Sequence, residues 1–178
     1  MNKDNKQFLK IIARYLILFL VAVPNFWLFY AILTPLTVYF VNISLGLFFD
    51  TLLMGNVILL DNRIPIEIVP ACVAGSAYYL LLILNLSIAK IKLKTRIQMI
   101  SLSFLIFFLI NIIRIFILSI MLLSNLNLFI IAHKIFWYLM STIFVVGIWF
   151  FEVKLFKIKE IPFYADLKFL YKKSYLGK

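Results

Sequence analysis

The chain has one cysteine, Cys72, and one histidine, His133. A cysteine thiolate is a nucleophile, and an imidazole can take the thiol proton and return it to a leaving amine. The third residue of interest is Arg114, in the run FFLINIIRIFILSIML. A cation inside a membrane helix is costly, and such residues almost always face the protein interior or a wet cavity. A thiolate or a transient oxyanion would suit that position. Asn111, one turn earlier, adds a hydrogen-bonding group on the same face. Cys72 is followed by VAGS, in which Ala74 and Gly75 are small enough for close approach by a neighbouring helix or a substrate chain. The amides around Gly75 and Ser76 lie where a span begins, and free amides there can stabilise an oxyanion. Each residue also has a plain structural reading. Cys72 can be packing, and His133 can sit at headgroup level or cap a helix. Arg114 can hold helices together through a carboxylate or a backbone carbonyl. One His, one Cys and no clustered carboxylates fall short of a zinc ligand set, so no metal is expected. No GxGxxG, Walker or HExxH pattern occurs, and no cofactor is expected.

These residues need elements to hold them, and composition says which kind. Hydrophobic residues make up 65% of the 178, against about 45–50% in a soluble domain. The excess points to lipid as the solvent and to one membrane domain over residues 1–178. A spanning helix needs about 20 mostly apolar residues. Four segments qualify, at about 9–33, 72–89, 97–123 and 133–151. Pro24 and Asn25 predict a kink in the first. The positively charged start resembles a signal peptide, but its apolar run continues too far and no cleavage site is evident, so it reads as a retained anchor. Between the first two spans, residues 37–54 read as an interfacial or re-entrant helix, with a fifth span as the alternative. A β-hairpin follows, Asn56–Leu60 and Ile64–Val69, turning at Asp61 and Asn62. Pro65 restricts its second strand to an edge. The expected class is an all-α polytopic membrane protein with this interfacial helix and short extracellular hairpin.

Charge placement orients the spans. Of the 18 basic residues, four lie from Lys3 to Arg14, four from Lys90 to Arg96, and seven from Lys154 to Lys178. Each block abuts an apolar segment, which marks topology determinants and headgroup contacts rather than a nucleic-acid face. Four spans put all three blocks on the cytoplasmic side of a plasma membrane. The tail 152–178 then lies on the inner surface as an amphipathic or loose segment. Cys72 and His133 open the second and fourth spans at their outer ends. Arg114 lies roughly 13 Å below the outer end of the third, within snorkelling reach. All three can converge on one extracytoplasmic site.

The residues PACVAGS around Cys72, NIIRI around Arg114, AHK around His133 and the stretch ILTPLT after the first span resemble the exosortase/archaeosortase family over about residues 10–150. The chain is short for the bacterial exosortases and closer in length to compact archaeal members. The resemblance implies a membrane cysteine transpeptidase or protease. Its substrates would be exported proteins ending in a short motif, a hydrophobic helix and a basic tail, with a lipid or other acceptor taking the new C-terminus. By match, Cys72 is the nucleophile, Arg114 supports the thiolate or tetrahedral intermediate, and His133 is the acid/base group, often arginine in the archaeal branch. The family commonly has a small hydroxyl residue and then glycine directly after the cysteine. Here Val73 and Ala74 intervene before Gly75 and Ser76. The alternatives are a non-catalytic membrane scaffold or assembly subunit, and a small transporter binding an anion at Arg114.

Overall fold

A computed structural model of the chain describes residues 3–23, 25–61, 63–137 and 141–173. It is mostly helical, with one small sheet. The order is α1 (Lys3–Ala22), α2 (Trp27–Gly46), β1 (Thr51–Met54), β2 (Val57–Leu60), β3 (Ile64–Glu67), α3 (Pro70–Val73), α4 (Gly75–Leu86), α5 (Leu93–Ser124), α6 (Leu126–Ile135), α7 (Ser141–Leu155) and α8 (Tyr164–Lys173). Among the described residues, α2 and α5 are long and apolar enough to cross a membrane.

The expected first span is two helices. An internal proline removes one helical hydrogen bond and crowds the preceding turn, and α1 ends at Ala22. Pro24 itself lies outside the described residues. Asn25 and Phe26 have left-handed backbones, with φ of 50° and 60°. The chain nevertheless keeps its direction along α4. Arg14 reaches the Leu86 and Ile88 carbonyls, the Tyr79 hydroxyl donates to the Leu18 carbonyl, and the rings of Phe26 and Phe29 pack on Tyr79 and Tyr78. The sequence therefore located the break, but it is a full interruption rather than a kink.

Residues 37–46 continue α2 instead of starting an interfacial helix, because Pro35 is accommodated inside α2. Residues 51–54 form β1. The expected hairpin is thus two strands of an antiparallel three-stranded sheet, ordered β1-β2-β3. Gly55, at φ 60°, helps turn β1 into β2. Asn62, expected in the second turn, lies outside the described residues. Pro65 sits opposite Leu59 on the edge strand β3, where a missing N–H is tolerated. Ile58, Leu60, Ile66 and Ile68 are buried against Val41 and Leu45 of α2 and Ile112 and Ile115 of α5. The sheet thereby caps one end of the helices.

The second expected span begins with the single turn α3 and restarts as α4 at Gly75. Ala74 between them is left-handed, φ 59° and ψ 46°. The third extends slightly beyond expectation as α5. The fourth does not begin at His133. The stretch after α5 is helical, because the Asn125 side chain accepts from the amides of Asn127 and Leu128 and starts α6. His133 lies in the last turn of α6, and α7 begins at Ser141. Tyr78, Leu81, Phe107, Val145 and Ile148 of α4, α5 and α7 form a second buried cluster with Phe29.

The tail is docked. Asp166 of α8 is 2% exposed and accepts two 2.8 Å bonds from Arg14. Residues 174–178 lie outside the described residues.

Candidate active site

The break at Ala74 shapes the site. In an uninterrupted helix the Cys72 carbonyl would accept from the amide four residues on. Here its donors are side chains of α5. Asn111 Nδ2 donates to it at 2.9 Å and Arg114 Nη2 at 3.2 Å. Asn111 and Arg114 are 2% and 8% exposed, so the contact is nearly dry. The Cys72 amide is taken as well, donating to the Val69 carbonyl at 2.8 Å. The main chain of Cys72 is therefore held on both sides. Its thiol is free of disulfide and half-buried.

A cavity of about 210 Å³ lies beside this clamp. Cys72, Arg114 and His133 all line it, with β3 and the segment after it forming one wall. The imidazole of His133 reaches the cavity from α6, held edge-on to Phe129 with ring centres 5.4 Å apart and tilted against Trp137 at 6.2 Å. The three residues singled out in the sequence thus share one cavity, although His133 arrives from the end of a short helix and Cys72 from a single turn.

Gly75 and Ser76 are not in it. A Cβ at Gly75 would come within 2.9 Å of the Tyr30 ring, so this glycine serves the packing of α4 on α2. Ser76 is exposed on α4. The expected oxyanion role for the amides around them therefore loses its geometric basis, because the helix restarts away from the cavity.

Two further polar residues line the cavity, Glu67 at the end of β3 and Ser119 on α5. Ser119 lies on the same helical stripe as Asn111 and Ile115, four residues apart each. Its hydroxyl donates back to the Ile115 carbonyl at 2.9 Å.

A second buried polar group lies at the opposite end of the bundle. Asn85 Nδ2 donates to Glu152 Oε2 at 3.1 Å and contacts Ser103 Oγ at 3.4 Å. Arg96, read in sequence as one of a block of topology determinants, is 8% exposed. It donates to the carbonyls of Asn85, Leu86 and Ile88 at 2.9, 2.6 and 2.6 Å. Those of Asn85 and Leu86 are carbonyls that the end of α4 leaves without helical partners, and Ile88 follows just beyond it. Among the described residues, no group of three His, Cys, Asp or Glu side chains could hold a metal ion.

Comparison with protein-family models, curated proteins and solved structures found no match to this chain.

Proposed function

We propose that this chain is a membrane cysteine transpeptidase or protease of the exosortase/archaeosortase type. It would have four spans, both termini on the cytoplasmic side and its site on the outer side of the plasma membrane. One observation carries the reading: the only cysteine, the only histidine and the intramembrane arginine, far apart in sequence, line a single cavity. The orientation draws support from charge. Arg14 meets the carbonyls after α4 and Asp166 of α8, and Lys90 pairs with Glu160 at 3.3 Å, so the basic blocks gather at the end away from the cavity.

In this mechanism the Cys72 thiol gives its proton to His133, and Sγ attacks a peptide carbonyl of an exported protein's C-terminal sorting signal. A carbon–sulfur bond forms, and the tetrahedral oxyanion develops near Arg114. The carbon–nitrogen bond breaks as His133 returns the proton to the leaving amine. The helix and basic tail of the signal depart, leaving a thioester on Cys72. A hydroxyl or amine of a lipid or other acceptor, or water, then attacks the thioester and restores the thiol. Arg114 has two duties here, because it also clamps the Cys72 carbonyl. No cofactor is required.

The test co-expresses the chain with an exported reporter ending in a hydrophobic helix and a lysine-rich tail, and follows processing by blot. Wild type is expected to shorten the reporter. Cys72→Ala and Cys72→Ser should abolish this, and Arg114→Ala and His133→Ala should reduce it at least tenfold, about 1.4 kcal/mol of barrier. Normal processing by Cys72→Ala would sink the proposal.

A non-catalytic scaffold is the rival, and it has its own observation: Asn111 and Arg114 both end on a backbone carbonyl, as a purely structural clamp would. That reading predicts that iodoacetamide alkylates Cys72 no faster than it alkylates glutathione.

A further inference from the structure

The sheet gives the cavity an open wall. β3 is the last strand of β1-β2-β3 and has no neighbour on its far side among the described residues. Its register shows which main-chain groups point there. Ile66 lies opposite Ile58, and the Ile68 amide donates to the Asn56 carbonyl at 2.9 Å, so the even-numbered residues turn their main chain toward β2. In an antiparallel ladder the alternate residues then face outward. Those are Pro65, Glu67 and Val69, all three exposed. Residues 65–69 line the cavity without a gap, from both faces of the sheet, so the cavity abuts the strand's edge.

The chemistry of this edge is directional. Pro65 has no N–H to offer. The Val69 carbonyl is already taken by the Cys72 amide. What remains outward is the Pro65 carbonyl, the complete amide unit of Glu67 and the Val69 N–H. An added strand can therefore make its full pair of bonds only at Glu67. From Val69 the chain turns directly into α3, which carries Cys72 three residues on. A strand seated at Glu67 would run on past Val69 toward α3, and Glu67, Val69 and Cys72 all line the same cavity.

The geometry points to β3 as a docking strand: the site takes an extended, unfolded peptide segment by strand addition at Glu67, which lays a peptide carbonyl beside Cys72. This rests on the reading of Cys72 as the nucleophile. Main-chain pairing supplies affinity in such complexes and side-chain pockets supply selectivity. Pro65 blocks pairing further out, so it fixes the register of the incoming strand at the end nearest the thiol. An exposed edge is otherwise an aggregation hazard, and here only Glu67 offers an added strand a full pair of main-chain bonds.

The test uses detergent-purified full-length protein, in which Cys72 is the sole thiol. The probes are acetyl-Val-Thr-Val-Thr chloromethyl ketone, the same peptide N-methylated at alternate amides, and chloroacetamide. The rate of Cys72 alkylation is measured by intact mass. Wild type is expected to react at least about tenfold faster with the peptide reagent than with chloroacetamide, relative to the same ratio on glutathione; this corresponds to one or two net hydrogen bonds. The advantage should disappear for the N-methylated peptide and for Glu67→Pro, which removes the outward N–H but no bond to β2. Glu67→Gln keeps the main chain and should keep the advantage. No advantage in wild type, or an advantage that survives both N-methylation and Glu67→Pro, overturns strand addition. The N-methylated probe decides the matter on wild type should Glu67→Pro fail to fold. The chloroacetamide rate alone, compared with glutathione, reports on thiol reactivity, so failure of the nucleophile reading is seen separately.

Discussion

The Cys72 carbonyl carries much of the local design. A carbonyl buried in an apolar bundle needs a donor, and the left-handed Ala74 removes the helical one. Asn111 and Arg114 replace it from α5 at 2.9 and 3.2 Å. Both side chains share one acceptor, so their contributions are coupled. Asn111→Ala is expected to cost about 0.5–1.5 kcal/mol in unfolding free energy, and Arg114→Ala more, because a charged donor is lost. The double variant should cost more than the sum of the two, because it alone leaves the carbonyl without either donor. A double-mutant cycle by denaturant titration in mixed micelles measures this, and strict additivity would show that the two donors act independently. Arg114 was legible in the sequence as an anomaly: a cation among Ile, Phe and Leu must have a polar surrounding. Its main-chain partner was legible only as one of two options, since nothing in PACVAGS announces which carbonyl will be orphaned.

Among the elements, the interruption between α3 and α4 is the feature that composition concealed. Left-handed residues are usually Gly or Asn, and Ala74 sits directly before a glycine. A reader of the sequence would place the special conformation at Gly75. The structure instead uses Gly75 for contact, since a Cβ there would meet the Tyr30 ring at 2.9 Å. Two substitutions separate these duties. Ala74→Gly relieves a strained backbone and is expected to stabilise by about 1 kcal/mol. Gly75→Ala overpacks the α2–α4 contact and should destabilise by about 1–3 kcal/mol, with most of the loss recovered in a Tyr30→Leu background. Thermal melts of these variants, of Tyr30→Leu alone and of wild type check both. A destabilised Ala74→Gly would mean that glycine's unfolded-state entropy outweighs the strain. Other elements were plain in the sequence for physical reasons. The turn at Asp61 and Asn62 and the proline at Pro65 gave β2 and the edge strand β3 but not β1, and Pro24 gave the break after α1. The start of α6 had its cue in Asn125, a capping residue before an apolar run. The docking of α8 had none, because Arg14 and Asp166 meet across most of the chain length.

At the scale of the whole molecule, the proposed topology depends on which end of the bundle faces the cytoplasm. Charge blocks alone gave the orientation in sequence, but the structure divides one block by role. Lys90 is exposed and pairs with Glu160, whereas Arg96 is buried as a cap for three carbonyls. Positive-inside bias comes from solvated charges near span ends, so Arg96 belongs to the fold and the lysines belong to the orientation. The sheet end carries the opposite balance, with Asp50, Asp61 and Glu67 against Arg63. Single-cysteine reporters read this directly. In a Cys72→Ala background, Asp61→Cys places a thiol on the exposed turn before β3, and Lys159→Cys places one between α7 and α8. A membrane-impermeant maleimide applied to intact cells, with any outer envelope first made permeable, is expected to label Asp61→Cys and to spare Lys159→Cys until the plasma membrane is opened. Labelling of Lys159→Cys in sealed cells, with Asp61→Cys protected, would invert the orientation. The cavity would then open to the cytoplasm, where an exported protein's C-terminal signal could not be processed after export, and the transpeptidase reading would fall with the topology.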